Sequence, residues 1–112
     1  HHLVNSDRIR MMSTSAPSGV GCGNHIVNCA RGGIVHEAAV LDALESGHLT
    51  SAALDVFELE PAIDNPLISH PNFHGTPHIG ASTLEAQSRI GEEMTTLLLD
   101  HFEGKRPHSA LN

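Results

Sequence analysis

His25-Ile26-Val27-Asn28-Cys29-Ala30, broken by Arg31-Gly32-Gly33, is the stretch on which the fold turns. A short apolar run closed by two glycines reads as a buried strand. Downstream, Ala38, Ala39, Leu41, Ala43 and Leu44 interleave with Glu37, Asp42 and Glu45, which predicts a helix. His36 falls at its N-cap, where a neutral imidazole caps less well than Asp, Ser or Asn, and Gly47 stands at a left-handed C-terminal cap. Ala52-Ala53-Leu54-Asp55-Val56-Phe57 reads as a second strand. Pro61, Pro66, Pro71 and Pro77 punctuate the residues after it and argue against a regular element there. A third short strand is expected over 72–75, running into Thr76-Pro77-His78.

Upstream, Asn5-Ser6-Asp7 offers caps for a short helix through Arg8, Ile9 and Met12, and the small, glycine-rich segment 13–24 reads as a loop. At the other end Ser82 or Thr83 caps the longest helix, with Glu85 three residues after Ser82 as in a capping box. Ala86, Ile90, Met94, Leu97, Leu98 and Phe102 recur at three- and four-residue steps and give that helix one apolar face, and Gly104 stops it. Strand, helix, strand, loop, strand, helix is the order of a parallel sheet covered by helices. The fold class expected is α/β, half of a doubly wound parallel sheet.

With 112 residues the chain fits one small domain. Six Lys+Arg against 13 Asp+Glu give a net charge of −7, which argues against a nucleic-acid partner. Hydrophobic residues at 39% make the chain too apolar for disorder, and with aromatics at 3% the core is expected from Leu, Ile, Val and Ala. No apolar run approaches the ~20 residues that span a bilayer, so no membrane partner is expected. Cys22 and Cys29 allow one bridge at most, and the cytoplasm is the expected compartment. The ten histidines are scattered without ligand-like spacing, so no metal ligands are assigned, and a metal-binding module ranks last among the readings. The opening His1-His2, without Met, reads as the start of a fragment or as an appended remnant.

In parallel sheets reactive groups gather beyond the carboxyl ends of the strands. The first strand ends at Arg31, the second contains Asp55 and leads to Glu60-Pro61, and the third runs into His78. A guanidinium holds a carboxylate or carbonyl in a fork, an imidazole moves a proton near neutral pH, and a carboxylate supports the imidazole's charged form. Taken singly, each has a plain alternative: a surface Arg, a loop His, a solvated Glu. Asp55, inside an apolar strand, demands a partner.

Three segments carry a resemblance: Val27-Asn28-Cys29-Ala30-Arg31-Gly32-Gly33-Ile34-Val35; Ala52 to Phe57 with Glu60-Pro61; and Thr76-Pro77-His78-Ile79-Gly80-Ala81-Ser82-Thr83. Together the chain resembles the D-isomer-specific 2-hydroxyacid dehydrogenases over about residues 25–112, and 1–12 resembles the helix that precedes this region. Ser88-Arg89-Ile90-Gly91-Glu92-Glu93, Gly104-Lys105 and Leu111-Asn112 point to the branch acting on a phosphorylated small 2-hydroxy acid. The resemblance implies a partial Rossmann-like doubly wound parallel sheet of about three strands with flanking helices. Residues 1–80 would be the second half of an NAD-binding domain, 81–104 a long crossover helix and 105–112 a C-terminal tail.

It implies an NAD-dependent oxidoreductase with a small-molecule 2-hydroxy acid as substrate. Arg31 would bind the substrate's carboxylate or keto oxygen, His78 would be the general acid/base, and Glu60 its partner. Cys29, Ala30, Arg31, Asp55, His78 and Gly80 would meet the cofactor, NAD, with Asp55 at its nicotinamide end and Ala30 and Gly80 contributing backbone.

The family's glycine-rich G-x-G-x-x-G turn is not in this sequence, since Gly19-Val20-Gly21-Cys22-Gly23 follows no strand and opens no helix. Segment 13–24 is longer than the family's connection, and His36 stands where the family usually has Asp. Two readings lead. The chain is a fragment of the dehydrogenase, or a catalytically inactive truncated product that associates with full-length subunits through an open strand edge, within a homo-oligomer.

Overall fold

The computed structural model describes residues 2–106, so Pro107 to Asn112 of the expected tail lie outside the described residues. Two compact units make up the chain, His1–His78 and Ile79–Asn112. The first contains α1 (Ser6–Arg10), β1 (His25–Asn28), α2 (Glu37–Glu45), β2 (Ser51–Leu54) and β3 (Phe73–Gly75). The second contains α3 (Leu84–Phe102).

The three strands form one parallel sheet in the order β1-β2-β3, with His25 beside Ser51 and Ala52 beside Phe73. Parallel neighbours need a crossover, and α2 supplies it between β1 and β2. Val40 and Leu44 on α2 pack with Ile9 of α1 and Leu54 of β2 in one buried cluster. Leu49 and Leu67 complete its most enclosed part. Two of the three phenylalanines also belong to this core, Phe57 and Phe73, their rings edge-on with centroids 6.2 Å apart. The core is therefore not purely aliphatic, because an aromatic pair fills the space beside the third strand.

Other expectations are adjusted locally. β1 and β2 are shorter than the apolar runs that predict them, because Ala30 and Asp55 already lie in the turns beyond the ladder. Burial alternates along β1, and Val27 is 72% exposed, so this strand is covered on one face and not on both. The proline-rich stretch holds one regular turn after all, a 3-10 turn at Pro66–Ser69. Pro66 opens it, where a missing N–H costs no bond, and the Asn65 side chain caps it by accepting from Leu67 N–H. His36 makes no side-chain cap bond at α2, while Gly47 follows α2 at φ 73° as expected of its cap.

In the second unit Thr83 caps α3 by accepting from Ala86 N–H at 3.1 Å, so Ser82 is not the cap and the Ser82–Glu85 box does not form. Gly104, at φ 75°, follows its end. No residue of α3 is buried, and Ile90, Met94 and Leu98 on its predicted apolar face are each about half exposed. Among the described residues no helix is long and apolar enough to cross a membrane.

Candidate active site

The carboxyl ends of the strands carry the candidate residues, and local packing places them. Asn28, the last residue of β1, is buried and shapes the turn beyond it. Its Oδ1 accepts from Ala30 N–H at 3.0 Å and its Nδ2 donates to the Arg31 carbonyl at 3.0 Å. That turn then presses on the loop after β2. A Cβ added to Gly32 would sit 1.9 Å from the Phe57 carbonyl oxygen, so only glycine permits the approach.

Asp55 follows β2 and is buried, its N–H donating to the Asn28 carbonyl at 2.9 Å. Thr76 Oγ1 donates to its Oδ1 at 2.5 Å, which supplies the partner a buried carboxylate requires. The backbone N–H of His78 donates to the Asp55 carbonyl at 2.9 Å and to the Thr76 carbonyl at 3.0 Å. His78 is held at φ 55°, a left-handed conformation that non-glycine residues seldom adopt. Such conformations persist where the surroundings over-determine them, as the two bonds to the His78 amide do here.

Glu60 completes the arrangement. Its Oε2 lies 2.8 Å from His78 Nδ1, and its Oε1 accepts from Phe57 N–H at 3.0 Å. The two bonds hold its carboxyl below its ordinary pKa, the one from His78 first and the one from Phe57 second. A carboxylate only accepts, so Nδ1 of His78 carries the proton and Nε2 is the nitrogen left to exchange one.

Arg31, Glu60 and His78 line one cleft of about 630 Å³, together with Gly32, Gly33 and Phe57. Arg31 donates through Nη1 to the Ala30 carbonyl at 2.7 Å. Cys29 and Ala30 occupy the exposed turn before Arg31, and Cys29 is a free thiol, as is Cys22. Gly80 falls in the second unit. Two contributors, Asn28 and Thr76, escape a reading of the sequence for function. A polar Asn inside an apolar strand is the available signal for the first, whereas Thr76 stands within the Thr76-Pro77-His78 segment with its role unassigned until the fold brings it to Asp55.

Residues 1–80 match the sequence profile of the D-isomer specific 2-hydroxyacid dehydrogenase NAD binding domain. The chain belongs to this family. D-3-phosphoglycerate dehydrogenase from Bacillus subtilis is 51% identical over 90 residues, 80% of this chain and 17% of that protein. The protein of the same name from Methanocaldococcus jannaschii is 40% identical over 111 residues, 99% of this chain and 20% of that protein. Among solved structures, the NADPH-dependent glyoxylate/hydroxypyruvate reductase of Sinorhizobium meliloti, in complex with NADP and sulfate, superposes with a TM-score of 0.80. It is 26% identical, over 99% of this chain and 34% of the reductase. This chain thus spans a fifth or less of the curated relatives' length.

For the family's dinucleotide the residues present fit one end. Asp55 offers a buried, oriented carboxylate beside the open turn at Ala30, an acceptor suited to a carboxamide N–H₂. Gly19 to Gly23, the one stretch that superficially resembles the glycine-rich pyrophosphate turn, lies in a loop closed by an antiparallel bridge between Ser15 and Gly21 and opens no helix.

Proposed function

We propose that this chain carries the proton-transfer and carboxylate-binding side of an NAD-dependent dehydrogenase for 3-phospho-D-glycerate. The product would be 3-phosphohydroxypyruvate, in the first step of serine biosynthesis. The observation that carries the reading is the Glu60–His78 pair at 2.8 Å in the cleft that Arg31 also lines. The D-3-phosphoglycerate dehydrogenase relatives support the substrate, and the family's NAD-binding profile supports the cofactor.

The chemistry follows from the side chains. Arg31 pairs its guanidinium with the substrate's carboxylate or the oxygen at C2, fixing the orientation of the reacting carbon. Nε2 of His78 takes the hydroxyl proton as the C2–O bond becomes a carbonyl. Glu60 stabilises the imidazolium that results and keeps Nδ1 protonated beforehand. When bound, NAD⁺ supplies the acceptor for the hydride lost from C2. Residues 1–80 would be the second half of the cofactor domain, 81–104 the crossover helix and 105–112 its tail, with Asp55 at the nicotinamide end of the cofactor, Ala30 and Gly80 close by through backbone, and Cys29, Arg31 and His78 also meeting it. The setting would be the cytoplasm.

Two measurements test this. NADH added to the labelled chain should shift amide peaks around Ala30, Asp55 and His78; an unresponsive spectrum would remove the nicotinamide site. In the second, this sequence replaces the matching segment of the Bacillus subtilis enzyme. The chimera should oxidise 3-phospho-D-glycerate, and an inactive but folded chimera would overturn the assignment.

A second reading, association with full-length subunits, is favoured by Val27, which is 72% exposed in β1 at the edge of the sheet. Co-purification of tagged chain with a full-length relative tests it, and absence of the relative in the eluate rejects it.

A further inference from the structure

Three side chains that the dehydrogenase reading leaves unused come together, and one of them, Glu58, also borders the cleft of Arg31, Glu60 and His78. His2 Nε2 lies 3.0 Å from Glu58 Oε1, and the rings of His2 and His36 have centroids 4.4 Å apart at 38°. One donor atom from each of His2, His36 and Glu58 lies within 4.8 Å of the other two. We propose that His2, His36 and Glu58 form a binding site for a divalent transition-metal ion of the zinc class.

The backbone brings the three together independently of any ion. His2 N–H donates to the Gly33 carbonyl at 2.8 Å, Val4 N–H to Ile34 at 2.9 Å and His36 N–H to Val4 at 2.9 Å. With the bridge between Val4 and Val35, these bonds pin residues 2–4 alongside the segment leading into α2. Glu58 is clasped to the same place. Its N–H donates to Glu37 Oε1 at 2.6 Å, and its own Oε1 accepts from Glu37 N–H at 3.3 Å. The His36 ring makes no cap bond to α2, so helix capping does not compete for its nitrogens.

Two imidazoles and a carboxylate are the donor set preferred by zinc, cobalt and nickel over magnesium and calcium. Bonds of ~2.0–2.2 Å in a tetrahedral site put donor atoms roughly 3.3–3.5 Å apart. The present spacing reaches that by small rotations, and the ion takes the place of the proton now shared between His2 and Glu58. Three protein ligands leave a fourth position for water. The ion would tie residue 2, the start of α2 and the loop that carries Glu60 to one point. The linear sequence hides this set because chain folding alone makes the three adjacent.

Zinc chloride titrated into the 112-residue chain, by calorimetry and by NMR of the histidine rings, decides the matter. The expected result is one ion per chain, with ring signals of His2 and His36 shifting together and cobalt(II) giving the visible bands of a tetrahedral site. His36→Asn keeps a favourable cap residue and should weaken zinc binding at least ~10-fold. Glu58→Gln, which keeps the acceptor but not the charge, should weaken it as well. Amide spectra establish that both variants are folded, and His2→Ala replaces either one that is not. The proposal is overturned if zinc does not saturate at one ion per chain. It is equally overturned if folded His36→Asn binds as tightly as the parent, since the ion would then belong to His1-His2 or to scattered histidines.

Discussion

Nδ1 of His78 lies 2.8 Å from Oε2 of Glu60, joining two loops 18 residues apart in sequence. The other oxygen of the same carboxylate is tied to the Phe57 amide. Glu60 therefore arrives at the imidazole already oriented, and the imidazole is fixed in the tautomer that presents Nε2 to the cleft.

The first expectation concerns turnover in the chimera with the Bacillus subtilis enzyme. His78→Gln removes the proton acceptor and should lower kcat about 10²–10⁴-fold with NAD binding retained. Glu60→Gln should cost less, because Nε2 survives, and should move the pH profile of kcat/KM. Equal turnover for His78→Gln and the parent would remove His78 from catalysis.

The second concerns acid. Glu60 titrates below the ordinary carboxylate range in the folded chain, first through its bond to His78 and then through its bond to Phe57 N–H. Its contribution to stability is therefore complete above that range and is lost as pH falls through the folded value. A carboxyl-carbon NMR titration should show Glu60 deprotonating at lower pH than the free side chain. In Glu60→Gln this acid-side loss should disappear from denaturation midpoints measured against pH.

Gly32→Ala tests the approach of the two loops. A methyl group 1.9 Å from the Phe57 carbonyl oxygen cannot be accommodated without separating them. The cost should be about 2–4 kcal/mol in urea denaturation. Gly91→Ala in α3 meets no atom within 4 Å and should instead raise helix stability by about 0.5–1 kcal/mol. Equal effects at the two positions would refute the close approach.

Thr76→Val removes the hydroxyl that donates to buried Asp55 while conserving shape. The loss should be about 1–3 kcal/mol, because a buried carboxylate loses a charge-assisted bond. Asn28→Ala should cost a similar amount, since it frees both the Ala30 amide and the Arg31 carbonyl. For both variants NADH-induced amide shifts should also weaken at Ala30, reporting a loosened turn and not merely a less stable fold.

Much of the scaffold is legible in the chain because it is written in local chemistry. The apolar run at His25 and the alternation over Glu37–Glu45 specify their elements within a few residues. Gly47 and Gly104 mark helix ends because glycine adopts positive φ without strain. Capping at α3 is harder to read, since Ser82 and Thr83 offer equivalent hydroxyls and only the backbone path selects Thr83. The exposure of Val27 is hidden because an apolar run does not say which of its faces receives a cover.

By itself, then, the sequence determined the element order, the parallel sheet and the family, through periodicity, capping and motifs whose meaning is confined to neighbouring residues. It also put Arg31, Glu60 and His78 at chain positions that come after strands. Only the tertiary structure decided which atoms meet: Glu60 with His78, Thr76 with Asp55, Gly32 against Phe57, and His2 beside His36 and Glu58. The reason is physical. Hydrogen bonds and steric limits act over a few ångströms, and residues distant in sequence come within that range only when packing of the core fixes the loops between them.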